Sequence, residues 1–247
     1  MSGLKLHRIE HVSASSLNLF AAEPALWVME RLCGRKGKVG PAAHVGTAVE
    51  AGVEAALLGK AEGIEAAAAL AGARYDQLCD DQDAREKIAP MVRQAYAALS
   101  PYGAPDLPED GRQHRVEVQL EGVPVPCIGY TDFVFHAHGT VIDLKTSGTL
   151  PSAIKVAHAR QGAVYARAFS NYAMLFAYAT PKKHAVYILE NPADHLAALG
   201  NIARRLDKFL SISADPQELA TIVCPDYDSF YWSDPQTRAN GLALFGF

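Results

Sequence analysis

The stretch that decides the fold is Gly129–Gly148, GYTDFVFHAHGTVIDLKTSG. It reads as two strands of a hairpin, each carrying one carboxylate inside an apolar run: Asp132 ahead of Phe133, Val134 and Phe135, and Asp143 between Ile142 and Leu144. Aspartate is disfavoured in strands and is rarely buried without a partner. Strand alternation places Asp143, Lys145 and Ser147 on one face, and Ile142, Leu144 and Thr146 on the other. If Asp132 lies across the hairpin, two unit charges about 4 Å apart repel by roughly 4 kcal/mol at an effective dielectric of 20. Protonating one acid or binding a cation relieves that repulsion. Magnesium suits such a place, because it takes one or two protein carboxylates and keeps waters. The plainer alternative is an Asp143–Lys145 ion pair on an edge strand, with Asp132 capping a turn.

Outward from the hairpin, the chain divides into a helical half and a mixed half. Ser13, Ser15 or Ser16 can cap a short first helix, and Pro24 can open a second that ends near Gly34. Apolar spacing predicts a helix from Ala42 to about Leu58 with Gly59 as its stop, then an Ala-rich helical region over 61–100 broken at Gly72 and Pro90. Strands are expected at about 114–120, 125–135 and 140–147, a helix at 153–170, strands at 172–179 and 184–189, and a helix from Pro192 to about Ser213. An irregular, aromatic-rich tail follows. This order implies an α/β or α+β sandwich, a central mixed β-sheet flanked by helices. The 153–170 helix is the crossover of a βαβ unit.

The chain has 247 residues, 49% hydrophobic and 20% charged, which suits a globular protein and a single domain. No apolar run approaches the roughly 18 residues of a membrane helix, so no membrane association is expected. The opening MSGLKLHRIEHVSASS lacks the apolar core of a signal peptide. Cys33, Cys79, Cys127 and Cys224 are too widely spaced for a CxxC zinc site or a disulfide framework, and they predict a reducing cytosol with buried thiols. The net charge of −4 discourages nucleic acid as a partner, but residues 145–208 hold nine Lys/Arg against three acids, a local +6. Such a segment can track a phosphate backbone or simply coat helices.

Two helices add candidates. In HVGTAVEAGVEAAL, Glu50 and Glu54 are four apart and share a face. In QGAVY, Gln161 and Tyr165 are also four apart, and His158 shares their face.

The order Glu50, Asp132, Asp143-Leu144-Lys145, Gln161-xxx-Tyr165 resembles the PD-(D/E)XK nuclease superfamily, and within it the branch of RecB nuclease domains and lambda-type exonucleases. The opening SASSLNLFAAEPALWVMERL is similar to the start of that branch, so the resemblance spans roughly residues 13–190. It implies a restriction-endonuclease-like core: one nuclease domain over 1–247, with a helical N-terminal part at about 13–100, a catalytic core at about 114–190 and a helical, aromatic tail at about 192–247. It also implies a Mg²⁺- or Mn²⁺-dependent deoxyribonuclease. Asp132, Asp143, Lys145 and Glu50 would be catalytic, and Asp132, Asp143, Glu50 and Leu144 would form the metal set. Gln161, Tyr165, His158, Lys155 and Arg160 would bind DNA. Glu50 occupies a position that is His in most RecB-type domains and Glu in lambda-type exonucleases.

Further expectations rest on the same resemblance. Glu117 matches a commonly acidic place before the hairpin. Iron–sulfur members carry Cys where this chain has Glu23, and three more near the C-terminus, where only Cys224 lies here; no iron–sulfur cluster is expected. There is neither a helicase motif nor a GxxxxGK[ST] loop, so unwinding would come from a partner. DNA is the expected substrate, in a bacterial or phage-infected cytoplasm, with a homo-oligomer and a single-strand annealing protein or helicase as companions. The expected activity is exonucleolytic, in recombination, repair or phage DNA processing, with a structure-specific endonuclease or a non-catalytic DNA-binding subunit as alternatives. His136 and His138 can bind metal or form a solvated turn. Tyr227, Phe230, Tyr231 and Trp232 can stack on single-stranded bases or pack the tail.

Overall fold

A computed structural model describes residues 2–109 and 113–246. They group into two compact units, one of 39–116 with 130–192, the other of 2–38 with 117–129 and 193–246. Six strands form two sheets. β1 (His114–Val118) pairs with β2 (Cys127–Thr131), while β3 (Phe133–Phe135), β4 (Thr140–Thr146), β5 (Ala173–Ala179) and β6 (His184–Ile188) lie side by side in that order. The second sheet is mixed as expected: β3 is antiparallel to β4, β4 parallel to β5, and β5 antiparallel to β6. In chain order the helices are α1 (Gly3–Leu6), α2 (Ala14–Ala22), α3 (Pro24–Trp27), α4 (Pro41–Leu57), α5 (Gly63–Asp76), α6 (Gln82–Arg85), α7 (Ile88–Leu99), α8 (Val156–Ala168), α9 (Pro192–Leu210), α10 (Pro216–Ala220) and α11 (Pro235–Phe245).

In the unit that holds the four-stranded sheet, α4, α5 and α7 make an apolar layer. Val45, Val49 and Val53 of α4, Tyr75 of α5, and Ile88, Met91 and Val92 of α7 bury against Phe133, Ile142, Leu144, Leu175 and Ala177. α8 connects the parallel strands β4 and β5 and covers the opposite face, where Gly162 lies against the ring of Phe176. The strands therefore separate their side chains as alternation requires: Ile142 and Leu144 enter the helical layer, and Asp143 and Lys145 turn towards α8.

Two expected breaks are corrected. α5 runs unbroken through Gly72, since a helix tolerates one interior glycine at about 1 kcal/mol, and the missing Cβ leaves room for the Arg85 guanidinium. α7 runs through Pro90, which sits in the first helical turn, where no intrahelical N–H is required. The breaks lie instead at 77–81 and 86–87, on either side of α6, which Asp81 caps by accepting from Ala84 N–H at 2.8 Å. The strand expected over 125–135 is likewise two strands, interrupted at Asp132.

In the other unit, α9 buries Leu199, Ile202, Leu206 and Leu210, and Ser13 caps α2 through Ser16 N–H. α3 continues into a π-helical turn, Val28–Leu32, before Gly34 takes a left-handed φ of 68°. The tail is more regular than expected, since Asp234 caps α11. Trp232 is buried with Ala25, Leu26 and Met29, Tyr227 meets its ring edge-on at 5.0 Å, and Phe230 is 84% exposed. The thiols depart from expectation: all four are free, but only Cys127 is buried, and Cys224 is exposed. No helix among the described residues is long and apolar enough to cross a membrane.

Packing at Gly162 sets how closely α8 approaches the sheet. A Cβ there would come 2.7 Å from Phe176 Cζ and 3.2 Å from Leu189 Cδ2. Gly162→Ala is expected to destabilise the protein by ~1–3 kcal/mol, read as a lower urea midpoint; an unchanged midpoint would show that α8 stands off β5 at no cost.

Candidate active site

Asp132 is the single residue between β2 and β3, where the chain leaves one sheet for the other. Along β4, the β3 pairing covers Thr140, Val141 and Ile142. Beyond that last pair, the Leu144 N–H is taken by Asp132 Oδ2 at 2.8 Å. A side chain thus replaces the missing strand, which fixes the carboxylate to the edge of the sheet. Leu144 buries its side chain in the helical layer.

Asp143 is one residue further along β4 than the last pair and is 1% exposed. Its Oδ2 lies 2.6 Å from Lys145 Nζ, and its buried Oδ1 has no hydrogen-bond partner among the described residues. Lys145 Nζ also donates to Gln161 Oε1 at 3.1 Å. Gln161 Nε2 donates to the Tyr165 hydroxyl at 2.8 Å, and that hydroxyl donates to the Tyr130 carbonyl at 2.7 Å. This chain of bonds ties Lys145 through α8 to the backbone two residues before Asp132. The spacing of Gln161 and Tyr165 permits it, since residues four apart share a helix face.

Glu50 comes from α4. Gln113 Nε2 donates both to Glu50 Oε1 at 2.6 Å and to Asp132 Oδ1 at 3.3 Å. The two carboxylate oxygens are therefore within about 6 Å of each other, a repulsion of roughly 3 kcal/mol at an effective dielectric of 20. Glu54, on the same helix face, is instead paired with Lys60 at 3.2 Å.

The electrostatics follow from this crowding. Burial, then the charges of Asp143 and Glu50, push the Asp132 carboxyl well above its ordinary range. Burial raises Asp143 as well, against the pull of Lys145. Glu50 is raised by burial and by Asp143, with the Gln113 bond working the other way. Burial opposes the charged form of Lys145, but Asp143 and Asp132 together outweigh it and raise its pKa. Three acids against one ammonium leave an excess of negative charge in a poorly solvated place.

The remaining sequence candidates lie around α8. His158 is half-buried; its Nδ1 is 2.7 Å from the Tyr178 hydroxyl, and its ring stacks on Phe176 and Tyr178. Burial and the charges of Lys145 and Lys155 pull its pKa down to about 4, so the imidazole is neutral at pH 7. Lys155 is exposed at the N-cap of α8. Arg160 is half-buried on the same helix. His136 and His138 form an exposed turn away from this cluster, with His136 Nδ1 2.8 Å from the Tyr172 hydroxyl. Sequence reasoning missed Gln113, whose single amide carries no motif, and the Tyr130 carbonyl, which side-chain patterns do not reveal.

The sequence model of the PD-(D/E)XK nuclease superfamily matches residues 11–225. The chain belongs to that superfamily. No curated protein matches it. Among solved structures, the crystal structure of SSO0001 is similar over 74% of this chain and 84% of that one, at 16% identity and a TM-score of 0.36, a likeness that carries no weight for the site.

Superfamily membership raises the question of a divalent ion. Among the described residues, no three His, Cys, Asp or Glu side chains stand together as a ready-made cage. The donor set nevertheless fits one: hard carboxylate oxygens from Asp132, Asp143 and Glu50, one of them buried without a partner, crowded enough that ionising them together is opposed. Gln113 and Lys145 now answer those carboxylates.

A pH test follows from the raised carboxyls. The folded, metal-stripped protein keeps protons that the unfolded chain releases near pH 4, so stability falls as pH rises from there through the raised values. Lys145 contributes equally at every pH below about 10, so it does not shape this window. Between pH 5 and 8, thermal melting in EDTA is expected to drop for the wild type and to drop less for Asp132→Asn. Parallel curves would rule out the repulsion.

Proposed function

We propose that this nuclease is a divalent-metal-dependent deoxyribonuclease, acting as an exonuclease in recombination, repair or phage DNA processing. The observation that carries the reading is the buried Asp143, with one oxygen on Lys145 and the other unpartnered, next to Asp132 and Glu50. A protein that crowds one buried and two half-buried carboxylates around one ammonium weakens its own fold unless a cation relieves them. Superfamily membership supports a phosphodiester substrate, and the resemblance of Glu50 to the lambda-type pattern supports an exonuclease.

Each residue then has a task. Asp132, Asp143 and Glu50 would hold Mg²⁺ or Mn²⁺, with Leu144 contributing from β4, the strand of Asp143. The ion, when bound, lowers the pKa of a coordinated water and stabilises charge on the phosphate. Lys145, aimed by Gln161, orients the attacking water and answers the negative charge that grows on the phosphate oxygens. Tyr165 holds Gln161 and the Tyr130 backbone together, which keeps the ammonium in register with Asp132. Lys155 and Arg160, with His158 at the margin of α8, contact the strand without reading its sequence. Cleavage is therefore expected to weaken steeply with salt.

Asp143→Ala and Lys145→Ala are each expected to lose cleavage by roughly 10³-fold with unchanged circular dichroism. The assay is hydrolysis of end-labelled linear DNA under Mg²⁺ or Mn²⁺ titration, beside covalently closed circles. Degradation of linear DNA alone supports the exonuclease. Cut circles would make the enzyme an endonuclease, and an inert protein at every metal concentration would leave a DNA-binding subunit.

A further inference from the structure

Gln113 has an arrangement that the nuclease roles above do not use. It lies just outside β1, and the next residue, His114, is anchored through Nε2 to the Asp106 carbonyl at 2.9 Å. Its own side chain carries no ladder and no cap. It spends its one amide nitrogen on two acids, Glu50 Oε1 at 2.6 Å and Asp132 Oδ1 at 3.3 Å. An amide nitrogen has two hydrogens, one for each carboxylate. A neutral group therefore stands where the repulsion between the acids asks for positive charge.

We propose that Gln113 is a placeholder for the cation: its amide holds Glu50 and Asp132 in the metal-free protein and must leave before both oxygens can face a divalent ion. This rests on the metal-dependent reading of the site. The chemistry is one of exclusion. The amide nitrogen stands between the two oxygens, 2.6 and 3.3 Å from them, so it fills the space in which a cation bridging both would sit. A contact that favours only the empty state acts as a built-in competitor and weakens the apparent affinity by its own contribution. Because Gln113 belongs to no strand, its side chain can withdraw without breaking a backbone bond of the sheet. Gln113 is thus a positioning residue that sets how much free metal the site needs, and it separates this site from a simple cluster of acids.

Gln113→Met keeps the length of the side chain and removes both donors; Gln113→Ala removes the side chain altogether. Titration calorimetry with Mn²⁺ on the full chain, without DNA, is the decisive measurement. Both variants are expected to bind Mn²⁺ about tenfold more tightly than the wild type, which is ~1.4 kcal/mol. Their metal-free melting temperatures should fall while the Mn²⁺-saturated ones stay near the wild type. A merely structural role would weaken binding or leave it alone, so equal or weaker Mn²⁺ affinity in the folded Gln113→Met protein overturns the proposal and leaves the metal site standing. Wild-type protein that binds no Mn²⁺ overturns both readings together.

Discussion

Everything in the site depends on one strand outrunning its neighbour. β4 continues past its last pair with β3 through Asp143–Thr146, and the Leu144 N–H left free at that edge holds the Asp132 carboxylate. The apolar side of the same stretch stays closed, with Ile142 and Leu144 in the helical layer. Alternation then does the rest: a strand buried on one face can carry charge on the other only where a helix leaves room for it. Gly162 lets α8 lie close on Phe176, and from there Gln161, one residue earlier, reaches Lys145.

Charge excess and backbone order are coupled here. The acids come from three places in the chain, and each is tied to something rigid: Glu50 to a long helix, Asp132 to the Leu144 N–H, Asp143 to a strand interior. Burial of groups held this way, with the charges of Asp143 and Glu50 added at Asp132, raises the carboxyl pKa values. The neutral imidazole of His158 adds no charge beside them at pH 7.

Much of this was legible in the sequence, for reasons that differ by residue. Asp143 and Lys145 stood out because period-two alternation in VIDLKT sets both on one face, and the structure joins them at 2.6 Å. The mixed sheet and its crossover followed from the alternation of strand and helix patterns. Asp132 was recognisable as an acid in an apolar run, but not as a break, since nothing in CIGYTDFVF tells one strand from two. Gly72 and Pro90 misled for a related reason: propensity marks both as breakers, whereas a helix tolerates one interior glycine and its first turn accepts proline. Gln113 left no trace because its importance is the distance to two acids 63 and 19 residues away.

Asp132 divides its labour between its two oxygens. Oδ2 is pinned to a main-chain amide of β4, and Oδ1 looks towards Glu50 through the Gln113 amide. The second oxygen is thereby referenced to the main chain of the sheet through one bond. Movement of β4 therefore carries the Asp132 carboxylate with it, and the carboxylate inherits part of the stiffness of the sheet.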